Sequence, residues 1–426
     1  MSVSSRHKAR PLQPHVGFVT ESFLDQSGAI LEDGAKRHLR HLIAVAAGLG
    51  AEVTVYERGA KPARRVVGGI DVATEHVSIS RLGRTLGAKA LREGCTHLHF
   101  QSLERAPWGL DGVPITATTH AVYWDIQYDD RYRRWYPGRR LSAAALPVWR
   151  YRQLRRYLLA VGRYERVLAT DTSLLRLVQS HRPALRDRVE VVKNFTDLPS
   201  GDPTSLGPAE ADQALASLVQ QHEQGHTVVL VPRNLSFVRG GAWLCEIVER
   251  TAQLLPREIA CHFFLTGVPV DVYGNASKYR RLLERDMGRM SSQARARLHV
   301  LGGLPRTAMP RAYQLSTLVL IPTLAHEGTS LAALEAMGAG VAVVAANIGG
   351  LNDVIEDDVT GLLVTPSPEA IARGIARLAQ TPAQRARLGQ AARQLVSFAF
   401  THDKWAARAG AFARRAGWTA REEDQE

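Results

Sequence analysis

Cysteine is scarce: Cys95, Cys245 and Cys261 are the only three in 426 residues. An odd number this widely spaced gives neither a disulfide framework nor a zinc site. No apolar run approaches ~20 residues, which excludes a helix spanning a bilayer. The chain has no GxxxxGKS or GxxxxGKT phosphate loop. A GxSxG nucleophile elbow is missing as well, and Asp-x-Asp occurs nowhere. Hydrophobic residues at 45% and charged residues at 22% exclude a mainly disordered or collagen-like chain. Residues 1–14 are basic and polar with no hydrophobic stretch behind them, so they are expected to form a flexible tail and not a signal peptide. Together these absences suggest a cytoplasmic protein.

What is present begins with charge. The chain carries 54 Lys+Arg against 41 Asp+Glu, a net of +13. Residues 1–200 hold 31 basic and 19 acidic side chains, so nearly all the excess lies in the N-terminal half. Such a field attracts phosphates, nucleic acid or anionic membrane. Only seven of the basic residues are lysine, a skew that a GC-rich genome would also produce.

Short apolar runs alternate with helical patterns from His15 onward. Strands are expected at Val16–Val19, Glu52–Tyr56, His97–Phe100, Ile115–Thr119, Val167–Ala169 and Val189–Val192. After a Pro/Gly/Ser/Asp-rich stretch at Asp197–Pro208, the alternation restarts. The second set of strands is expected at Thr227–Val231, His262–Thr266, Leu298–Leu301, Leu318–Ile321, Val341–Ala345 and Gly361–Val364. Continuous apolar strands separated by helices predict parallel sheets covered on both faces. The expected organisation is an acceptor lobe at 15–199, a linker and connecting helix at 200–225, a second lobe at 226–395 and a helical tail at 396–426. The fold class is therefore α/β, two Rossmann-like lobes facing a cleft.

The densest chemical signal is Leu318–Val364. An apolar strand, TLVLIPT, is followed by AHEG, and Thr329 or Ser330 can then cap the helix SLAALEAMGAG. Ligands of open α/β sheets sit beyond the carboxyl ends of strands, where helix N-termini favour an anion such as a diphosphate. Glu327 and Glu335 lie eight residues apart, on the order of 12 Å of helix. That span matches a sugar joined to a ribose through a diphosphate, with a carboxylate at each end for paired hydroxyls.

The stretch HEGTSLAALEAMGAGVAVVAANIGGLNDVIEDDVTGLLVTP resembles the signature of retaining GT-B glycosyltransferases of the group 1 or family 4 type. Its hallmark, two glutamates separated by seven residues, falls on Glu327 and Glu335. The resemblance implies that Glu327 meets donor-sugar hydroxyls and Glu335 the nucleotide ribose. VLVPRNLSFVRGG is similar to the segment that neutralises the donor diphosphate, with Arg233 matching its arginine. Arg239 stands where lysine is usual, a planar fork in place of a compact ammonium. HFFLTGV places Gly267 near the base, and TTHAVYWD makes His120 the histidine facing the donor sugar. LEDGAKRH matches the family's Gly-Gly loop, with Gly34 present and Asp33 in place of the first glycine. VEVVKNFTD places Asn194 and Asp197 at the end of the first lobe, read as structural.

The expected activity is transfer of a glycosyl group from a nucleoside-diphosphate sugar to an acceptor hydroxyl, with retention, in cell-surface or lipid-linked glycan assembly. Arg233, Arg239, Glu327 and His120 are the catalytic candidates; Gly267, Gly328, Thr329, Ser330, Glu335 and Gly34 are the donor-binding ones. No metal and no cofactor is expected. A GT-B nucleotide-sugar epimerase is the alternative enzyme. A basic nucleic-acid binder with a degenerate sugar site is the alternative of another class, though nucleic acid is not the expected partner. From Arg131 to Arg156 the sequence has nine arginines and no acidic residue, interleaved with Tyr132, Trp135, Tyr136, Trp149 and Tyr151. This composition suits an anionic membrane surface. The acceptor is accordingly expected to be a sugar, lipid-linked or anionic, with the protein peripheral on the inner face of the plasma membrane.

Overall fold

Aliphatic and β-branched runs become strands in two separate sheets. The computed structural model describes residues 13–419 except 26, 32, 106–109, 111, 123–144, 197–207, 235, 268–275 and 326. In the first lobe the strands are β1 His15–Val19, β2 Glu52–Arg58, β3 Ala63–Val67, β4 Ile70–Glu75, β5 His97–Phe100, β6 Ile115–Thr119, β7 Arg166–Ala169 and β8 Val189–Val191. Their order is β3-β4-β2-β1-β5-β6-β7-β8. All neighbours are parallel except the β3–β4 pair.

The sequence reading missed β3 and β4. They form a hairpin turned by Gly68 and Gly69, both at positive φ (57° and 78°), the geometry of a tight two-residue turn. Strand β3 is an edge strand, largely exposed and carrying Arg64 and Arg65. Charge on an edge protects it from pairing with other chains, and it also hides the strand from an apolar-run criterion.

The second lobe holds β9 Thr227–Val231, β10 Cys261–Leu265, β11 Leu298–Val300, β12 Leu318–Ile321, β13 Ala342–Ala346 and β14 Leu362–Val364. Their order is β11-β10-β9-β12-β13-β14, all parallel. Every residue of β9, β12 and β13 is buried, as a sheet covered on both faces requires. Strand order reverses between β9 and β12. That switch point opens a crevice at the carboxyl ends of these two strands. The helix Pro208–Glu223 belongs to this lobe, with Leu215 and Leu218 in the same core cluster as Val228 and Leu230.

The expected C-terminal helices are present, and the last one returns to the first lobe. Pro382–Ala399 packs Ala392 and Val396 into the second lobe's core, and the chain then breaks at Phe400. Thr401 caps the helix His402–Arg415. Trp405, Phe412 and Trp418 join Phe18, Leu39 and Leu42 in the first lobe's core. Trp418 meets Phe18 edge-on at 5.4 Å. The segment is thus not a peripheral tail but a packed face of the first lobe. Where the chain returns, Phe400 O accepts from Thr196 N at 3.1 Å, close to the outward crossing at the end of that lobe.

All three cysteines are buried and free, and burial pushes their thiols up to about 11 for Cys95 and about 12 for Cys245 and Cys261. No helix among the described residues is long and apolar enough to cross a membrane.

Candidate functional site

Arg233 follows β9 and Glu327 follows β12, so the two sit at the switch point of the second sheet. Arg233 Nη2 donates to Glu327 Oε2 at 2.5 Å and to Thr323 Oγ1 at 3.3 Å, while its Nη1 donates to Ser330 Oγ at 3.3 Å. Arg239 Nη1 and Thr323 Oγ1 also donate to Glu327 Oε2. Three donors therefore converge on one oxygen of a carboxylate that is 4% exposed. Burial alone would raise the Glu327 carboxyl, but Arg233 and Arg239 outweigh it and hold it at about 2. Burial lowers the Arg233 guanidinium to about 10, leaving it charged at neutral pH. Arg239 fills the place where lysine is expected and reaches the same oxygen with its planar fork.

Glycines set how closely the backbones approach. A Cβ at Gly267 would lie 1.8 Å from Arg233 O, so this residue lets the ends of β10 and β9 touch. A Cβ at Gly328 would lie 1.9 Å from His120 O, a contact between the lobes. Gly350, in the NIGGL segment of the signature stretch, donates from its backbone N to Glu327 O at 2.7 Å and packs on Gly328.

The helix Leu331–Gly338 is capped by Ser330, whose Oγ accepts from Ala333 N. One turn in, Glu335 Oε2 accepts from Tyr313 Oη at 3.0 Å and Oε1 accepts from Arg37 Nη1 at 3.3 Å. Tyr313 is buried, and burial together with Glu335 raises its phenol. Arg37 belongs to the first lobe, in the helix Gly34–Gly48. Asp33, the departure from the family's glycine pair, caps this helix by accepting from Lys36 N at 2.8 Å. Gly34 lies against Leu331, so the starts of the two helices meet across the cleft.

From the first lobe, His120 follows β6 and its Nε2 is 2.7 Å from Gln101 Nε2. The ring of His38 stands edge-on to it at 5.1 Å. Burial, then Lys36 and His99, lower the His120 imidazole to about 4, so it is neutral at physiological pH. Asn194, expected to be structural, ties the lobes together. Its Nδ2 donates to Thr329 O at 3.0 Å, and its Oδ1 is 3.1 Å from His38 Nδ1. Thr329 Oγ1 donates to Thr170 O. Asp353 accepts from Thr172 N at 2.6 Å and from Thr172 Oγ1 at 2.7 Å. Asp197 and residues 131–144 lie outside the described residues.

The structure thus brings Arg233, Arg239, Glu327, Ser330 and Gly267 together, and sets Gly328, Thr329, Glu335, Gly34 and His120 along the facing seam. Sequence reasoning missed Arg37, Gln101, Tyr313 and Asp353. Gln101 and Tyr313 stand in no signature segment; Arg37 and Asp353 lie inside two of them, LEDGAKRH and the HEGTS stretch, but only the fold brings Arg37 to Glu335 and Asp353 to Thr172. The cavity lined by Arg233, Asn234, Arg239, Gly240 and Pro322 has a volume of about 10 Å³, room for one water at most. In this conformation the site is closed on its own charge pairs. The arrangement can neutralise a dianion, accept hydroxyl donors at two carboxylates and donate from a neutral histidine. Among the described residues, no group of three or more His, Cys, Asp or Glu could hold a metal ion.

Comparison with known proteins agrees with this geometry. Residues 289–395 match the family model for Glycosyl transferases group 1. A D-inositol 3-phosphate glycosyltransferase of Salinispora tropica is 31% identical over 49% of this chain and 42% of its own length. The chain thus matches less than half the length of that curated relative. An alpha-maltose-1-phosphate synthase of Mycolicibacterium smegmatis is 26% identical over 68% of this chain and 65% of its own length. Among solved structures, sucrose-phosphate synthase from Thermosynechococcus elongatus superposes with a TM-score of 0.69 at 18% identity, covering 95% of this chain and 99% of that one. Anabaena HepE in complex with UDP-glucose gives 0.66 at 17% identity, covering 94% and 99%. Matched segment and shared architecture put residues 289–395 in the glycosyl transferases group 1 family, on a chain with the two-lobed GT-B fold.

Proposed function

We propose that the protein transfers a glycosyl group from a nucleoside-diphosphate sugar to an acceptor hydroxyl, with retention of configuration. The observation that carries this reading is the convergence of Arg233 and Arg239 on Glu327 at the switch point, with Glu335 in the next helix. In glycosyl transfer the bond from the anomeric carbon to the diphosphate breaks through an oxocarbenium-like state. Negative charge grows on the leaving diphosphate, where preorganised positive groups lower the barrier. Arg233, Arg239 and the N–H groups at Gly328–Ser330 supply them. Glu327 Oε2 is held by three donors, which leaves Oε1 as the atom assigned to donor-sugar hydroxyls. Glu335 takes the ribose hydroxyls, and the acceptor's proton passes to a leaving phosphate oxygen as its own oxygen bonds to the anomeric carbon. Arginines and helix N-termini then do the work that a metal does in Asp-x-Asp enzymes.

The acceptor is read as a sugar, lipid-linked or anionic, in cell-surface or lipid-linked glycan assembly on the cytoplasmic side. The names of D-inositol 3-phosphate glycosyltransferase and sucrose-phosphate synthase both carry a phosphate, and the basic first lobe supports an anionic acceptor here too. Membrane attachment draws support from the helix Leu146–Val161. It exposes Val148 and Tyr151, 56% and 63% accessible, beside Arg152, Arg155 and Arg156. Trp149 does not join that face, because it packs against the second lobe's core.

Thermal stabilisation across a panel of UDP-, GDP- and ADP-sugars tests the donor, since only a tight ligand raises the unfolding temperature. Product analysis then separates transfer from epimerisation. If no nucleotide sugar stabilises the protein, the reading is wrong.

A further inference from the structure

Gln101 follows β5, beside His120 at the end of β6, and is buried. Its side-chain nitrogen has two neighbours: Ala35 O, which accepts from it at 2.9 Å, and His120 Nε2 at 2.7 Å. A backbone carbonyl can only accept, so it fixes which end of the amide faces it. With the amide nitrogen so placed, both its hydrogens are directed outward, one to Ala35 O and one to His120 Nε2. The imidazole nitrogen that receives a hydrogen cannot also carry one in the neutral ring. The proton of His120 must then sit on Nδ1.

From this geometry we infer that Gln101 is a positioning residue that locks His120 as the neutral Nδ1–H tautomer, so that the ring offers the cleft a hydrogen-bond donor. The inference rests on the reading of His120 as the histidine that meets the donor sugar, and adds the direction of that hydrogen bond: from ring N–H to sugar oxygen. It also links two elements of the first lobe. Ala35 is the residue after Gly34, so the first turn of the helix Gly34–Gly48 is tied through one amide to the histidine after β6. Movement of that turn would release the tautomer as well as the contact of Gly34 with Leu331. The other titratable groups around the ring are Lys36, His38 and His99. None of them is placed to accept from Nε2 in the way that a carboxylate at position 101 would.

The test is nitrogen NMR of the full chain with 15N-labelled histidine, the His120 ring being assigned by its loss in His120→Asn. The parent at neutral pH should show Nδ1 protonated and Nε2 bare. Gln101→Glu puts an acceptor beside Nε2 and should move the proton there, while Gln101→Met should leave a mixture of tautomers. In transfer assays Gln101→Glu should lower kcat by roughly tenfold, the worth of about one hydrogen bond. An Nε2–H ring in the parent, or an Nδ1–H ring unmoved by Gln101→Glu, overturns the inference. The spectra need no donor, so their failure would leave nucleotide-sugar binding standing, and failure of that binding would leave the spectra standing.

Discussion

Arg37 and Glu335 are 298 positions apart and belong to different lobes, yet both guanidinium Nη atoms of Arg37 donate to one Glu335 oxygen, at 3.3 and 3.4 Å. Both groups are largely buried. The carboxylate assigned to the ribose is therefore already engaged before any donor arrives. Glu327 is in the same position with respect to Arg233 and Arg239. A nucleotide sugar would exchange partners at every one of these pairs, its phosphates taking arginines and its hydroxyls taking carboxylates.

Substitutions on the two sides of the Arg37–Glu335 pair should act in opposite directions. Glu335→Ala removes a charge-assisted hydrogen bond worth about 1.5–3 kcal/mol, so donor affinity should fall by roughly one to two orders of magnitude. Arg37→Gln removes the competitor, and affinity should rise by up to roughly tenfold. Titration calorimetry with the stabilising nucleotide sugar reads both. Equal binding by Glu335→Ala and parent would end the ribose assignment.

Gly328→Ala places a methyl group where His120 O now lies, 1.9 Å away. Backbone atoms cannot swing aside as a side chain does, so the lobes must separate locally. Transfer should drop by at least roughly tenfold while each sheet keeps its fold, since such overpacking costs typically about 1–3 kcal/mol. Circular dichroism and activity together check this; full activity would mean that the seam is not closed during turnover.

Transfer should survive EDTA, because the proposed mechanism assigns the leaving group to Arg233 and Arg239. Complete loss on chelation, restored by manganese or magnesium, would overturn the assignment of Arg233 and Arg239.

Stability should fall on acidification through the histidine range. Burial lowers His38 and His99 to about 3 and His120 to about 4, from an ordinary 6.5. Their folded pKa values are depressed, so the stability they contribute is full above 6.5 and is lost as pH falls toward 4 and 3. Asp171, raised to about 6 by burial, acts in the opposite sense, losing stability as pH rises from about 4 to about 6. Three groups outweigh one, and the unfolding temperature should decline between pH 6.5 and 4. A flat profile there would contradict buried neutral histidines.

Vesicle co-sedimentation at low and high salt tests the membrane reading. Each basic residue near an anionic leaflet is worth about 1 kcal/mol. Binding that survives Arg152→Gln with Arg155→Gln and Arg156→Gln, or no binding by the parent, would remove this helix from the account.

Elements whose burial is written in consecutive residues were legible in the sequence. The run LVLI of β12 and the pair Glu327 and Glu335 each state their place locally. Strand β3 was not legible, because an exposed charged edge has no apolar signature. Nor was the role of Arg37, Gln101 or Asn194, whose partners lie across the cleft or on other strands. Asp33 shows the intermediate case: its type fits a helix cap, but the family pattern drew attention to the glycine it replaces.

The return of Trp405, Phe412 and Trp418 to the first lobe has a consequence for how the protein is made. A chain leaving the ribosome ordinarily folds its first domain while the next is being synthesised. Here Phe18 and Leu39 emerge early, but the aromatic residues that cover them come after the whole of the second sheet. Part of the first lobe's apolar face stays uncovered until residues 405–418 have been synthesised. A fragment ending near residue 196 would lack those aromatic residues, and its exposed face would make it prone to aggregate.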